Sequence, residues 1–94
     1  VNPYPKIKRV VDKGMITWVR DRDGYCIAGR ELREQCLQGI DVHHIHSRGS
    51  GGGDIKENLI CLCRKHHNMA HNGLITRKQL EAMLERRYGY KYEM

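Results

Sequence analysis

The chain has 94 residues, of which 39% are hydrophobic, with no Phe and a single Trp; this allows one domain with a thin core that needs a staple, and four cysteines can supply a metal site or a disulfide. Lys and Arg number 17 against 11 Asp and Glu, gathered toward both ends in KIKR and ERRYGYK, which points to a polyanion such as nucleic acid. No apolar run approaches a membrane span and no signal-peptide pattern opens the chain, so a reducing cytoplasm is expected, where thiols or metal are favoured over disulfides.

Residues 1–10 carry two prolines and little periodicity, and read as a basic extended arm. VDKGMITWVRDRDG predicts a first helix, capped by Asp12, striped by Met15, Trp18 and Val19, and ended by Gly24. YCIAGRELREQCLQG is ambiguous and reads as irregular, with at most a short turn of helix. IDVHHI, residues 40–45, has strand character through Ile40, Val42 and Ile45. HSRGSGGGDIKE is glycine-rich and reads as a flexible connection whose amides can approach a phosphate. NLICLC is a second short strand. RKHHNMAHNG is a short helix stopped by Asn72 and Gly73 as a left-handed C-cap pair. TRKQLEAMLERRYG is the clearest helix, with Thr76 and Gln79 as a capping box and Leu80, Met83, Leu84 and Tyr88 along one face. There is no internal repeat. The predicted class is α+β in one domain, with a strand–strand–helix core over 40–73 and a C-terminal helix over 76–89.

All six histidines lie between positions 43 and 71. His67 and His71 are four apart on the short helix and share a face, so both can reach one metal ion. His66 points elsewhere, about 100° round the helix. His43 and His44 are neighbours on a strand and face opposite ways, so one can join the metal while the other sits near it unligated.

These residues, read as DVHHI … GG … ENLICLC … HHNMAH, resemble the HNH nuclease family, particularly its small phage and prophage members. The resemblance covers roughly residues 18 to 73, with the His pair, the Asn and the helix His in order. It implies the ββα-metal finger fold, in agreement with the layout above, and a metal-dependent DNA endonuclease leaving 5′-phosphate and 3′-hydroxyl ends. Carried over residue by residue, it implies His44 as general base, with His43, His67 and His71 as metal ligands, His71 being the additional ligand of colicin-type nucleases. Asn58 matches the Asn that orders the loop and orients the base, and Arg48 is a candidate phosphate contact. The expected partner of the His44 ring is a backbone carbonyl of the loop. The implied cofactor is one catalytic divalent ion (Mg, Mn, Zn or Ni). The implied partners are DNA and, from the phage likeness, packaging proteins, in a host cytoplasm. His46 is given no role and is expected to face solvent at the strand end.

Many HNH proteins carry two C-x-x-C pairs around a structural zinc. Here Gly29 stands where the partner of Cys26 would be, and Cys63 is followed three residues later by His66. With Cys36 replacing the missing ligand, Cys26, Cys36, Cys63 and His66 make a candidate Cys₃His zinc site. Cys61 is an alternative ligand or a buried strand thiol, and a disulfide or a metal-free knuckle are the rival readings. The alternative function is a non-catalytic zinc-binding DNA module, in which an unligated histidine beside a ligand has no use; an RNA-directed nuclease would use the same residues.

Overall fold

The computed structural model describes residues 9–92, so most of the expected basic arm lies outside the described residues. Helix α1 spans Lys13–Asp23. The Asp12 carboxylate caps it by accepting from the Met15 amide at 3.1 Å, and Gly24 closes it in the left-handed region at φ 71°. Its inward face is Met15, Ile16 and Val19, packed on Leu59 and Cys61. Trp18, expected in that stripe, is instead 46% exposed. One residue is about 100° of helix, so with Val19 central to the buried face Trp18 falls at its margin.

The ambiguous stretch holds a second helix, α2, Ile27–Leu32. Its N-cap acceptor is a thiol: Cys26 Sγ takes the Gly29 amide at 3.3 Å. That is why no ordinary capping residue announced it. Its first residues, Ile27 and Ala28, are fully buried.

Strands β1, Ile40–His44, and β2, Leu59–Cys63, pair antiparallel from Ile40 opposite Cys63 to His44 opposite Leu59. Every residue of β2 is buried. Leu59 and Cys61 lie under α1, while Ile60 and Leu62 join Ile27, Leu80, Met83 and Leu84 on the other side. Helix α3, Arg64–His71, leaves the end of β2 directly, and α4, Arg77–Tyr88, carries the expected capping box between Thr76 and Gln79. The architecture is the expected α+β one, a ββα unit with flanking helices. Among the described residues no helix is long and apolar enough to cross a membrane.

Two local expectations are corrected. At the end of α3 only Gly73 is left-handed, at φ 77°, while Asn72 keeps φ −88°. The glycine-rich connection, expected to lack regular structure, contains short helical turns. These are two single 3₁₀ turns, Arg48–Ser50 and Lys56–Asn58, the first capped by Ser47. The fully buried Asn58 side chain accepts from the His46 amide at 2.8 Å and donates to the carbonyls of His46 and Gly53 at 3.1 and 3.0 Å. Gly52 is needed for closeness, since a Cβ there would sit 1.7 Å from the His46 carbonyl oxygen. Replacing Asn58 by Ala would orphan one buried amide and two carbonyls. We expect Asn58→Ala to cost about 3 kcal/mol, read from chemical denaturation of both proteins; a loss under about 1 kcal/mol would mean the loop is held by something else.

Candidate active site and a cysteine cluster

β1 and α3 bring three imidazoles together. His43, His67 and His71 offer ligand nitrogens that all lie within 4.8 Å of one another. The His67 and His71 Nε2 atoms are 3.0 Å apart. Two nitrogens on one tetrahedral ion, each about 2.0–2.1 Å from it, stand about 3.3 Å apart, so the donor set fits a divalent cation. The rings meet at centroid distances of 5.0, 5.3 and 4.6 Å.

Their surroundings bear on two of the three. Burial, together with the facing histidines, lowers His43 to about 4, so at neutral pH it carries a free lone pair. Asp41, on the same face of β1 two residues earlier, takes the His67 Nδ1–H at 2.9 Å and sits 3.3 Å from the Arg64 guanidinium. The bond from His67, with the nearby Arg64 charge, holds the Asp41 carboxyl below its ordinary range. An ionised carboxylate can only accept, so His67 Nε2 is left as the ligand atom. Sequence reasoning missed Asp41; the signal was a carboxylate at strand spacing from His43.

His44 lies beside this cluster and outside it. Its Nε2 is 2.7 Å from Asp54 Oδ1, not on a loop carbonyl as expected. Burial works to raise Asp54, but the bonds from His44 and the Asp12 amide and the Arg9 charge outweigh it, and its carboxyl lies below the usual range. Asn58 touches the loop, not the His44 ring, so its contribution is through the backbone around His46 and Gly53.

Two clefts meet at His43, His44, Ser47 and His71. One, about 430 Å³, is bordered by Arg48 and Gly49. The other, about 340 Å³, is bordered by Ser50 and by Arg77 from the start of α4. Arg48, the candidate phosphate contact, thus borders the first cleft, and Arg77 is a cation that sequence reasoning did not single out. His46 corrects the remaining histidine expectation. Rather than facing solvent, it bonds Glu81 of α4 at 2.6 Å and stacks on Tyr92 at 4.1 Å.

The second cluster sits where α2, β2 and α3 meet. Cys26, Cys36, Cys63 and His66 offer ligand atoms within 4.8 Å of one another. His66 Nδ1 is 3.0, 3.5 and 3.8 Å from the sulfurs of Cys63, Cys26 and Cys36. A tetrahedral zinc with ordinary bond lengths sets about 3.6 Å between nitrogen and sulfur, so this donor set also fits. Without a metal, His66 Nδ1 can donate to the Cys63 sulfur; with a metal on Nδ1, Glu34 Oε1, 3.4 Å from His66 Nε2, can accept the remaining ring N–H. Burial would raise Cys63, but hydrogen bonds from the His66 amide and ring outweigh it and lower it to about 6. Cys36 is pushed up to about 12 by desolvation of its thiol and by the neighbouring thiols. One ready thiolate among resistant thiols is a site that a cation completes by displacing protons.

The glycine at 29 has a structural explanation. A Cβ built on Gly29 would lie 2.3 Å from Cys36 Sγ. The Cys36 thiol thus fills the space that a side chain at 29 would need. Cys61 is set apart as a buried strand thiol, its Sγ 3.7 Å from the Val19 carbonyl. Burial, with Asp23 nearby, pushes it up to about 12, and it stands outside the Cys26, Cys36, Cys63 and His66 cluster. All four cysteines are free thiols in this structure.

Another network escaped the sequence reading. Asp23 is buried, and its carboxylate accepts from Arg22, from the Cys61 amide at 2.9 Å and from the Tyr88 hydroxyl at 2.6 Å. It ties α1 to β2 and α4 and adds nothing to the clefts.

The family model for HNH endonuclease matches residues 24–73, slightly more than half of the chain. No curated protein and no solved structure matches the chain significantly.

Proposed function

The chain belongs to the HNH endonuclease family, and from that premise we propose that it is a metal-dependent DNA endonuclease, with His44 as general base and His43, His67 and His71 as the ligands of one divalent cation. The observation that carries this reading is His44: it borders both clefts, stands beside the three-imidazole cluster without belonging to it, and bonds a carboxylate through one ring nitrogen. A purely structural metal site has no use for such a group. When bound, a divalent cation supplies Lewis-acid stabilisation of the charge that develops on the phosphoryl oxygens and the departing 3′ oxygen.

The chain's own residues do the rest. His43, His67 and His71 are neutral donors that would leave the ion's charge undiminished. His44 takes the proton of the attacking water through the ring nitrogen not engaged by Asp54. Arg48 and Arg77, one in each cleft, bind the phosphates flanking the scissile bond. Asn58 keeps the loop that carries Arg48 packed. The Cys26, Cys36, Cys63 and His66 set holds a structural zinc that fastens α2 to the ββα unit.

The test is cleavage of supercoiled plasmid by metal-stripped protein supplied with a panel of divalent ions. Chelator should abolish nicking, and Mg²⁺, Mn²⁺ or a similar ion should restore it. Full activity in excess chelator, or no cleavage with any ion, would overturn the reading. Binding should be salt-sensitive and largely indifferent to sequence. Arg48→Ala and Arg77→Ala should each weaken duplex binding on every sequence alike, and each should reduce the slope of log affinity against log salt by about 1, measured by fluorescence anisotropy. Unchanged slopes would place the DNA elsewhere.

A further inference from the structure

Asp54 follows the last glycine of the run and is only 4% exposed. A buried carboxylate is costly unless its oxygens are paired. Oδ1 meets His44 Nε2 at 2.7 Å and the Arg9 guanidinium at 3.3 Å, while Oδ2 accepts from the Asp12 amide at 2.9 Å. The Asp54 amide in turn donates to the Val10 carbonyl at 2.8 Å, and a Cβ on Gly53 would come within 3.1 Å of the Val10 Cβ. Residues 9–12 therefore run along Gly53 and Asp54 and complete their bonding. They precede the stretch matched by the family model, and nothing in that match assigns them a role.

The consequence for His44 is a choice of tautomer. A carboxylate has no proton to give, so His44 Nε2 must carry the hydrogen, and in the neutral ring Nδ1 is then the nitrogen with the lone pair. That is the form in which a base can accept a proton. We propose that Asp54 is the positioning residue of His44, and that the segment Arg9–Asp12 belongs to the active site because it holds Asp54 in place. The catalytic part of this inference rests on the nuclease reading; the tautomer part does not.

Asp54→Asn separates the possibilities because an amide has a single acceptor oxygen for two sets of donors. With that oxygen on the Asp12 amide, the NH₂ group faces His44 Nε2 and favours the opposite tautomer. Two measurements on the full chain follow. In ¹⁵N-histidine NMR, His44 should be protonated at Nε2 in the wild type and shift toward protonation at Nδ1 in Asp54→Asn. In plasmid cleavage, kcat should fall by about 10²–10⁴-fold with KM and metal affinity within a few-fold of wild type, as expected when a base is held in the wrong tautomer. The double variant His44→Ala/Asp54→Asn should cleave no more slowly than His44→Ala alone, which a general structural role for Asp54 does not predict. An unaltered His44 spectrum in Asp54→Asn, or losses that add in the double variant, would overturn the proposal. A wild type that fails to cut with every ion supplied would remove the nuclease reading, while the NMR result still judged the Asp54–His44 pairing. Should Asp54→Asn fail to fold, Arg9→Ala gives a milder second reading: the His44 ring resonances should move and kcat should drop several-fold, and an unchanged spectrum would show that the N-terminal segment has no hold on the site.

Discussion

His44→Ala should lower plasmid cleavage by about 10²–10⁴-fold while leaving metal and DNA binding close to wild type, because a positioned base contributes on that scale and the imidazoles of His43, His67 and His71 remain in place. His67→Ala should behave differently. It removes a donor 3.0 Å from its neighbour on His71 and also releases Asp41 from its bond, so metal affinity should fall directly. Calorimetric metal titration beside cleavage assays on both variants gives the comparison. If His44→Ala loses metal as badly as His67→Ala, base and ligand have been assigned the wrong way round within the pair. If it cuts normally, His44 is not the base, and the reading of this site as the active site fails.

The second large effect concerns the cysteine cluster. If the cluster holds zinc as proposed, stripping it should unfold the domain or lower its Tm by tens of degrees, since such sites contribute about 10–16 kcal/mol of apparent binding free energy in zinc-finger peptides. The geometry around Gly29 allows a sharper test. Cys36→Ala should remove one of four ligands and most of the zinc affinity. Gly29→Cys alone should do harm, because its Cβ would meet Cys36 Sγ at 2.3 Å. The combination Gly29→Cys/Cys36→Ala should recover much of both zinc affinity and Tm, by putting the fourth thiol back at C-x-x-C spacing from Cys26. Zinc content and thermal melts of the three variants read this out. A double variant no better than Cys36→Ala would mean that Cys36 is not standing in for a ligand at 29, and that the cluster holds the fold as packed thiols.

The structure also shows why some of the site was open to a reading of the chain and some was not. The four-residue spacing of His67 and His71, the alternation of His43 and His44, and the Thr76–Gln79 cap are local regularities, set by the helical and strand periods, and they survive whatever surrounds them. The same reasoning misled at Trp18, where an apolar residue near a helical stripe was placed inside, although burial is decided by which neighbour is centred on β2. It also misled in the glycine run. Composition suggested no regular structure there, but the chain makes short helical turns, the Asn58 side chain fastens both sides of the loop, and Gly52 is small because a carbonyl occupies the space of its Cβ.

By itself, the sequence determined the class of fold, the shared face of His67 and His71, and that one of His43 and His44, facing opposite ways, could join them while the other stood by. These follow from short-range geometry along single elements. Only the tertiary structure decided what His44 bonds to, which thiol completes the Cys₃His set, and which cations border the clefts. Asp54 meets His44 across a loop, Cys36 reaches His66 across 30 positions, and Arg77 arrives from a separate helix. Contacts of that kind depend on how loops close and helices dock, and no period along the chain encodes them.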